Sequence, residues 1–292
     1  MNILTFDIEE WYIWKNRSMD TEERISNLNS YFYSILDLLD DRGIKATFFC
    51  LGGMASDFPA VVKEIDRRGH EVGCHSNRHT WLNKMSYAEV KEDTYTSVDA
   101  LEQCIGKKIK SYRAPAFSIG DKNEWAFEIL AESGIERDAS VFPLVRDFGG
   151  FKDFGYSKPV IVHYHNTSIK EFPICTTKLL GRDIAYSGGG YFRFFPLWFL
   201  KKEISASDYV MTYFHLGDII PENVRMKTRD EYEAYFKEPG PFLTRYKRYL
   251  KSNIGKHSAF KKLEALIRSM DFINLEQADR LIEWGSQPVV KF

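Results

Sequence analysis

Apolar positions along the first half of the chain alternate between two rhythms. Ile25, Leu28, Phe32, Ile35 and Leu39 fall three and four residues apart, the spacing of one helix face. Asp40-Asp41-Arg42-Gly43 ends that pattern, and Ile44 to Leu51 then reads as a buried strand rich in Phe. The cycle repeats. A helix is predicted from Pro59 to Arg68, stopped by Gly69, with a strand over Glu71 to Cys74. Ser86 with Glu89 forms a capping box for a helix reaching Ile105, Gly106 stops it, and a short strand leads into Arg113. Asp121 with Glu124 is the predicted start of a further helix ending at Gly134, followed by a strand over Ile135 to Asp138. Strands alternating with helices favour parallel pairing through right-handed crossovers.

The rhythm breaks after Phe142. The stretch 142–208 shows few helical patterns and reads as a loop-rich insertion of loops and short strands at one rim, holding His163, His165 and Ser187-Gly188-Gly189-Gly190. Tyr209 to His215 reads as another strand of the main sheet. Two amphipathic helices follow Pro239-Gly240-Pro241, over 242–252 and 258–270, then a short strand at Phe272 to Leu275 and a last helix to Trp284, so helices dominate 241–285. No composition shift marks a domain boundary. The expected architecture is a single α/β domain over 1–292, a distorted (β/α) barrel with about seven parallel strands.

Hydrophobic residues make up 44% of the 292 and aromatics 15%, which excludes disorder and predicts a substantial core. The net charge of −1 supplies no overall basic field, so nucleic acid is not an expected partner. Cys50, Cys74, Cys104 and Cys175 lack CxxC spacing, Cys50 and Cys74 fall in predicted strands where buried free thiols are common, and the pattern fits a reducing compartment. MNILTFDIEEWY has neither the basic n-region nor the apolar h-region of a signal peptide, and no run suits a membrane span. Cytoplasmic location, extending to the inner membrane face, is the expectation.

The chemistry concentrates at predicted strand ends. Asp7 ends the first strand, His75 the third, and Arg113, Asp138 and His215 end later ones. In a parallel barrel those ends gather on one face, where active sites form. His75 and His79, four apart, would share a face if the backbone between them made a helical turn. A carboxylate from another segment would complete a two-His, one-carboxylate metal site with a position left open.

Thr5-Phe6-Asp7-Ile8-Glu9-Glu10, His75-Ser76-Asn77-Arg78-His79, Tyr112-Arg113-Ala114-Pro115, Asp138-Ala139-Ser140 and Phe214-His215-Leu216 together resemble the motifs of the polysaccharide deacetylase family, carbohydrate esterase family 4, also called the NodB-homology fold. Ser187 to Arg193 (SGGGYFR) is similar to a branch associated with exopolysaccharide, capsule or O-antigen synthesis. The resemblance implies a metal-dependent hydrolase removing N-acetyl, or O-acetyl, groups from a bacterial glycan or its precursor. It implies one divalent ion, Zn²⁺ first and Co²⁺ or Ni²⁺ as alternatives, held by His75, His79 and a carboxylate. The family motif has two adjacent aspartates; here Asp7 is followed by Ile8, with acids at Glu9 and Glu10. In extended backbone Asp7 and Glu9 share a face, which makes Glu9 the expected third ligand and Glu10 the alternative.

The remaining roles follow from that resemblance. Asp7 is the expected general base, Arg113 keeps it ionised and oriented, and His215 is the general acid for the leaving amine. Asp138 is expected to hydrogen-bond His215 and raise its pKa. A backbone N–H after the first strand is expected to hold the oxyanion. Trp11, Tyr12, Trp14, Phe117, Tyr191 and Phe192 flank these motifs as core or as sugar-stacking surfaces. His163 and His165 read as rim residues rather than a second metal site, and three glycines without a P-loop lysine do not mark phosphate binding. Two other readings compete: a metal-free C–N hydrolase of the same fold, admitted by the Asp-x-Glu spacing, and a catalytically inactive carbohydrate-binding protein. The sugar, its linkage and the oligomeric state are not legible.

Overall fold

The computed structural model describes residues 1–17, 22–146, 149–222, 224–236 and 238–292. Seven parallel strands carry the architecture: β1 (Thr5–Ile8), β2 (Thr47–Cys50), β3 (Glu71–Cys74), β4 (Ser111–Tyr112), β5 (Arg137–Asp138), β6 (Thr167–Glu171) and β7 (Phe214–His215). They pair in the order β7-β1-β2-β3-β4-β5-β6. Beyond β6 lie Val160–Tyr164, antiparallel to it, and Val289–Lys291. An isolated bridge from Gly188 to Tyr213 continues the sheet on the far side of β7. The result is the α/β distorted barrel expected from the alternating rhythm.

Helices Glu22–Asp41, Pro59–Arg67, Tyr87–Ile105 and Ala126–Glu132 connect successive strands and bury the predicted stripes; Leu28, Phe32, Ile35 and Leu39 are all buried. The Ser86–Glu89 capping box forms, and Gly106 ends that helix at φ 70°, a left-handed conformation that a side chain at Cβ would oppose. Gly73 is needed for space: a Cβ there would lie 2.6 Å from the Phe49 ring inside the barrel.

Several boundaries differ from the sequence reading. The helix expected to start at Asp121 begins only at Ala126; before it, Asn123 folds back on the preceding turn, accepting from Gly120 N at 2.9 Å and donating to Ser118 O at 3.0 Å. Tyr209 to His215 is two strand segments: Val210–Met211 pairs with Asn2–Ile3, and Phe214–His215 pairs with β1, with Thr212 Oγ1 accepting from Thr5 N between them. Phe272 to Leu275 makes a single bridge, Ile273 to Ile3, before the helix Leu275–Leu281. The 142–208 segment is more regular than expected. It contributes β6 itself, a hairpin over Thr176–Leu179 and Arg182–Ala185, and helices Gly189–Phe194 and Leu197–Ala206. The first C-terminal pair of helices is Phe242–Asn253 and Lys256–Ser269.

The barrel floor is polar. Glu71 accepts from Thr47 Oγ1 (2.7 Å) and Ser111 Oγ (2.5 Å) and takes the Glu276 amide at 2.9 Å, so the start of helix Leu275–Leu281 plugs that end. Arg137 joins Glu71 to Asp279. Among the described residues no helix is long and apolar enough to cross a membrane.

Candidate metal centre and active site

β1 ends at Ile8, one residue sooner than the extended reading needs, and the helix Glu10–Arg17 starts immediately. Glu9 sits at that junction and still turns toward the site. The segment from His75 to His79 is not a helical turn. It is a loop in which Ser76 and His79 adopt positive φ of 66° and 57°. Such conformations cost about 1 kcal/mol or more each for non-glycine residues, and they persist where the surroundings fix them. Here Gly52 N binds Ser76 O, Gly53 N binds Asn77 O, and Asp93 accepts from Asn77 N at 2.9 Å. Ser76 Oγ accepts from His79 N at 3.1 Å.

This loop delivers both imidazoles to Glu9. Glu9 Oε2 lies 2.5 Å from His79 Nε2 and 3.4 Å from His75 Nε2. The three form the one cluster among the described residues whose His, Cys, Asp or Glu donor atoms could jointly hold a metal ion. His75 Nδ1 is 2.7 Å from the Arg113 carbonyl, which accepts its proton and leaves Nε2 as a bare lone pair. Both His75 Nε2 and Glu9 Oε2 are buried without a hydrogen-bond partner. Two donors each about 2.0 Å from a tetrahedral cation stand about 3.3 Å apart. The Glu9–His75 separation matches this, and Glu9–His79 is closer by most of an ångström. Nitrogen and carboxylate donors with one position open suit zinc or a neighbouring divalent ion. Burial pushes the Glu9 carboxyl up, but His79 and His215 more than reverse this and hold it well below the usual carboxylate range.

Glu10, the alternative ligand, points elsewhere. Its Oε1 accepts from Gly217 N at 2.5 Å, and burial together with the Glu9 charge pushes its pKa to about 7.

Asp7 stands opposite His215 in register on β1 and β7. It is 1% exposed, and its Oδ1 accepts from Arg113 Nη1 at 2.8 Å. Burial raises the Asp7 carboxyl, and Arg113, then His75 and His215, outweigh it so that the group stays ionised. Arg113 also donates to Thr5 Oγ1 (2.7 Å) and Ala139 O (3.2 Å), with its guanidinium 4.4 Å from the Phe49 ring centre. His215 Nε2 is 3.5 Å from Asp7 Oδ2 and 4.0 Å from Glu9 Oε1. Burial lowers the imidazole; Glu9, Asp218 and Asp7 overturn this and lift it to about 10.

Asp138 is not part of this group. Its strand register pairs it with Tyr112 on one side and Glu171 on the other, in the row that continues to Cys74. Arg113 is one residue further along β4, and neighbours along a strand point to opposite faces. Asp138 Oδ1 accepts from Ser140 Oγ at 2.5 Å, and the buried Glu171 shares its surroundings. The partner of His215 is Asp218, whose Oδ2 is 3.5 Å from Nδ1. Arg193, from the GGGYFR run, sits 3.4 Å from the other Asp218 oxygen. Sequence reasoning missed Asp218. The available signal was an acid three residues after a strand-end histidine, in His215-Leu216-Gly217-Asp218.

A cleft of about 410 Å³ opens beside these groups, lined by Glu9, Glu10, His215, Asp218, Trp14 and Lys256, among others. A hollow of about 770 Å³ around Asn27 and Glu222 borders it but reaches none of the catalytic candidates. Of the flanking aromatics, Trp14 lines the cleft, whereas Trp11, Phe117 and Phe192 are core. Tyr235 and Phe236 line it too, from a region not suspected in the sequence. Tyr191 is exposed, and His165 lies 3.2 Å from Glu128 at the rim.

Residues 3–136 match the polysaccharide deacetylase family model, and residues 139–280 match one described only as a domain of unknown function (DUF3473). A peptidoglycan-N-acetylglucosamine deacetylase of Bacillus cereus is 36% identical over 95 residues, covering 32% of this chain and 34% of that protein. A chitin deacetylase of Pestalotiopsis sp. is 35% identical over 92 residues, covering 30% and 31%. The chain thus spans about a third of the length of these curated relatives. A crystal structure from Mycobacterium smegmatis, whose polysaccharide deacetylase name is itself provisional, superposes with a TM-score of 0.60 at 16% identity, over 99% of this chain and 92% of that one, a likeness of fold. The deacetylase model, these relatives and this likeness of fold agree with one another, and residues 3–136 belong to the polysaccharide deacetylase family, carbohydrate esterase family 4, of NodB-homology fold.

Proposed function

We propose that this protein is a metal-dependent hydrolase that removes N-acetyl, or O-acetyl, groups from a glycan or glycan precursor. The observation that carries the reading is the convergence of Glu9, His75 and His79 on one point, with Asp7 and His215 beside it. We treat the whole chain as one catalytic unit, since the helix Leu275–Leu281 closes the barrel floor at Glu71. A divalent cation held by Glu9, His75 and His79 would acidify water and polarise the acetyl carbonyl. Asp7, ionised and fixed by Arg113, takes the proton of the attacking water. His215, protonated and backed by Asp218, gives a proton to the departing nitrogen, which is a poor leaving group without one. The opening amides of helix Glu10–Arg17, which have no acceptor within the helix, are donors for the tetrahedral oxyanion. Trp14 supplies a ring face for a sugar in the cleft.

The bare Nε2 of His75 beside Glu9 argues against a metal-free hydrolase, and an acid and a base facing each other argue against a pure carbohydrate binder. The deciding experiment is acetate release from N-acetylated sugars, nucleotide sugars and oligosaccharides, before and after chelation and with Zn²⁺, Co²⁺ or Ni²⁺ restored. Release that needs the ion and disappears in Asp7→Asn supports the reading. Release that survives complete ion removal, or glycan binding with no release from any substrate, overturns it.

A further inference from the structure

The helix Phe242–Asn253 is built inside out. It buries none of its residues. Its two arginines turn toward the protein: Arg245 donates to Gly240 O and Lys227 O, and Arg248 lies 3.0 Å from Glu238 with its guanidinium 4.3 Å from the Phe236 ring centre. Its apolar side chains turn outward. Phe242 is 61% exposed, Leu243 60%, Leu250 48%, and Tyr246 and Ile254 are exposed with them. The spacing 242, 243, 246, 250, 254 is a single helical stripe, and Lys247 and Lys251 are exposed along its flank.

A second segment extends this surface. Arg193 donates to the carbonyls of Lys251 and Ser252, which brings the end of helix Gly189–Phe194 against the end of the basic helix. Phe194, next in the chain, is 63% exposed, and Trp198, four residues on, is 68% exposed. Lys201 and Lys202 lie three and four residues after Trp198 on the helix Leu197–Ala206.

The charge says what covers this face. From Pro239 to Leu263 there are seven Lys and Arg and no Asp or Glu; Arg245, Arg248, Lys256 and Lys262 are turned inward, and Lys247, Lys251 and Lys261 are exposed, in a chain whose net charge is −1. Exposed aromatic and aliphatic side chains rimmed by lysines complement an anionic bilayer surface, where rings insert at the headgroup level and ammonium groups meet lipid phosphates. A second copy of the chain would bring the same positive charge against itself. We propose that the Phe242–Asn253 helix, with Phe194 and Trp198, docks this protein on the surface of a bilayer containing anionic phospholipid. The helix also backs the cleft, since Arg245 and Arg248 hold Lys227 and Phe236, which line it. Docking therefore brings the cleft close to the lipid surface. The proposal rests on no assumption about the reaction.

The test is flotation of the full chain with vesicles of phosphatidylcholine alone and of phosphatidylcholine mixed with phosphatidylglycerol, at low and high salt. Tryptophan quenching by brominated lipid is read in parallel. The expected result is flotation with the anionic vesicles, weakened by salt, and quenching that falls in Trp198→Phe. Leu250→Ser combined with Phe242→Ser abolishes flotation while far-ultraviolet circular dichroism is unchanged. Lys247→Ala lowers partitioning about fivefold. The proposal is overturned if the protein stays in solution with anionic vesicles, or if it binds neutral vesicles equally well and Lys247→Ala changes nothing. It is also overturned if ultracentrifugation finds a dimer that Leu250→Ser dissociates, which would give the face to a second copy.

Discussion

Asp218 Oδ2 lies 3.5 Å from His215 Nδ1, an ion pair at the outer edge of hydrogen-bonding range, while Asp138 faces Ser140 and Glu171 instead. The imidazole rises to about 10 against the effect of burial because Glu9, Asp218 and Asp7 favour its protonated form. A general acid works only while protonated, so activity falls as pH rises through its pKa. Asp218→Asn removes one of the groups that raise it, and the alkaline limb of the kcat/KM profile should move to lower pH than in the wild type. A cation on Glu9 lowers the imidazole in both proteins alike, so the difference between them is the quantity to read. Asp138→Asn should leave the limb in place. Superimposable limbs for wild type and Asp218→Asn would sink this assignment.

The Asp7–Arg113 pair is almost wholly buried, with side chains 2% and 1% exposed. Removing one partner of such a pair strands the other charge, at a cost of about 3–5 kcal/mol. Arg113→Ala should show a loss of that size in urea denaturation, because Asp7, Thr5 Oγ1 and Ala139 O all lose their donor. Asp7→Asn keeps an oxygen that accepts from Arg113, so its stability loss should be clearly smaller. Its turnover should nevertheless drop by about 10²–10⁴-fold, the usual loss with a general base. The opposite ranking would mean that the Arg113 cation depends mainly on the Asp7 charge, and that an amide oxygen does not replace the carboxylate.

How far the sequence could carry the reader differs from residue to residue. Asp7, His75, Arg113 and His215 were legible because each follows an apolar run, and the parallel topology brings such ends together. Asp138 follows the same rule and still fails. β5 is two residues long, too short for an alternating pattern to reveal which face a side chain takes. β6 was not located in the main sheet, although short strands were expected in this segment, since Thr167-Ser168-Ile169-Lys170-Glu171 carries only one apolar residue; its place comes from pairing with β5 and with Val160–Tyr164. The two histidines meet beside Glu9, but not by the local geometry expected of them. A loop with left-handed Ser76 and His79, rather than a helical turn, aims them, and positive φ is too uncommon at non-glycine residues to be read from the sequence there. The outward stripe of Phe242–Asn253 had the periodicity of a core-facing helix, and periodicity does not say which side is covered.

Metal affinity should appear as thermal stability. A ligand at a hundred times its Kd stabilises the fold that binds it by about 2.7 kcal/mol. Zn²⁺ added to chelator-treated protein should therefore raise Tm, and equilibrium dialysis should find one ion per chain. His79→Ala and Glu9→Gln should each remove that rise with little change in the Tm of the metal-free protein, because the loop stays tied by Asp93 and Ser76. Glu10→Gln should retain the rise, since Glu10 serves the Gly217 amide. Loss of the rise in Glu10→Gln with retention in Glu9→Gln would exchange the two acids.

Glu171 gives stability an opposite pH slope from an ordinary paired carboxylate. Its Oε1 accepts from Val141 N at 3.0 Å, while burial, and then the neighbouring Asp138, push its pKa well above the normal range. A carboxyl whose pKa is higher folded than unfolded binds its proton more tightly in the fold. Its stabilising contribution is complete below the unfolded value, about 4.3, and is lost as pH rises toward the folded value. Glu171→Gln keeps an acceptor for Val141 N and an uncharged neighbour for Asp138. At about pH 5 the variant and the wild type should have similar Tm, and by about pH 9 the variant should be the more stable, with a flatter profile between. Parallel Tm profiles across that range would mean that Glu171 ionises alike in the folded and unfolded chain, and that water or Arg113 reaches it in a way its burial against Asp138 does not suggest.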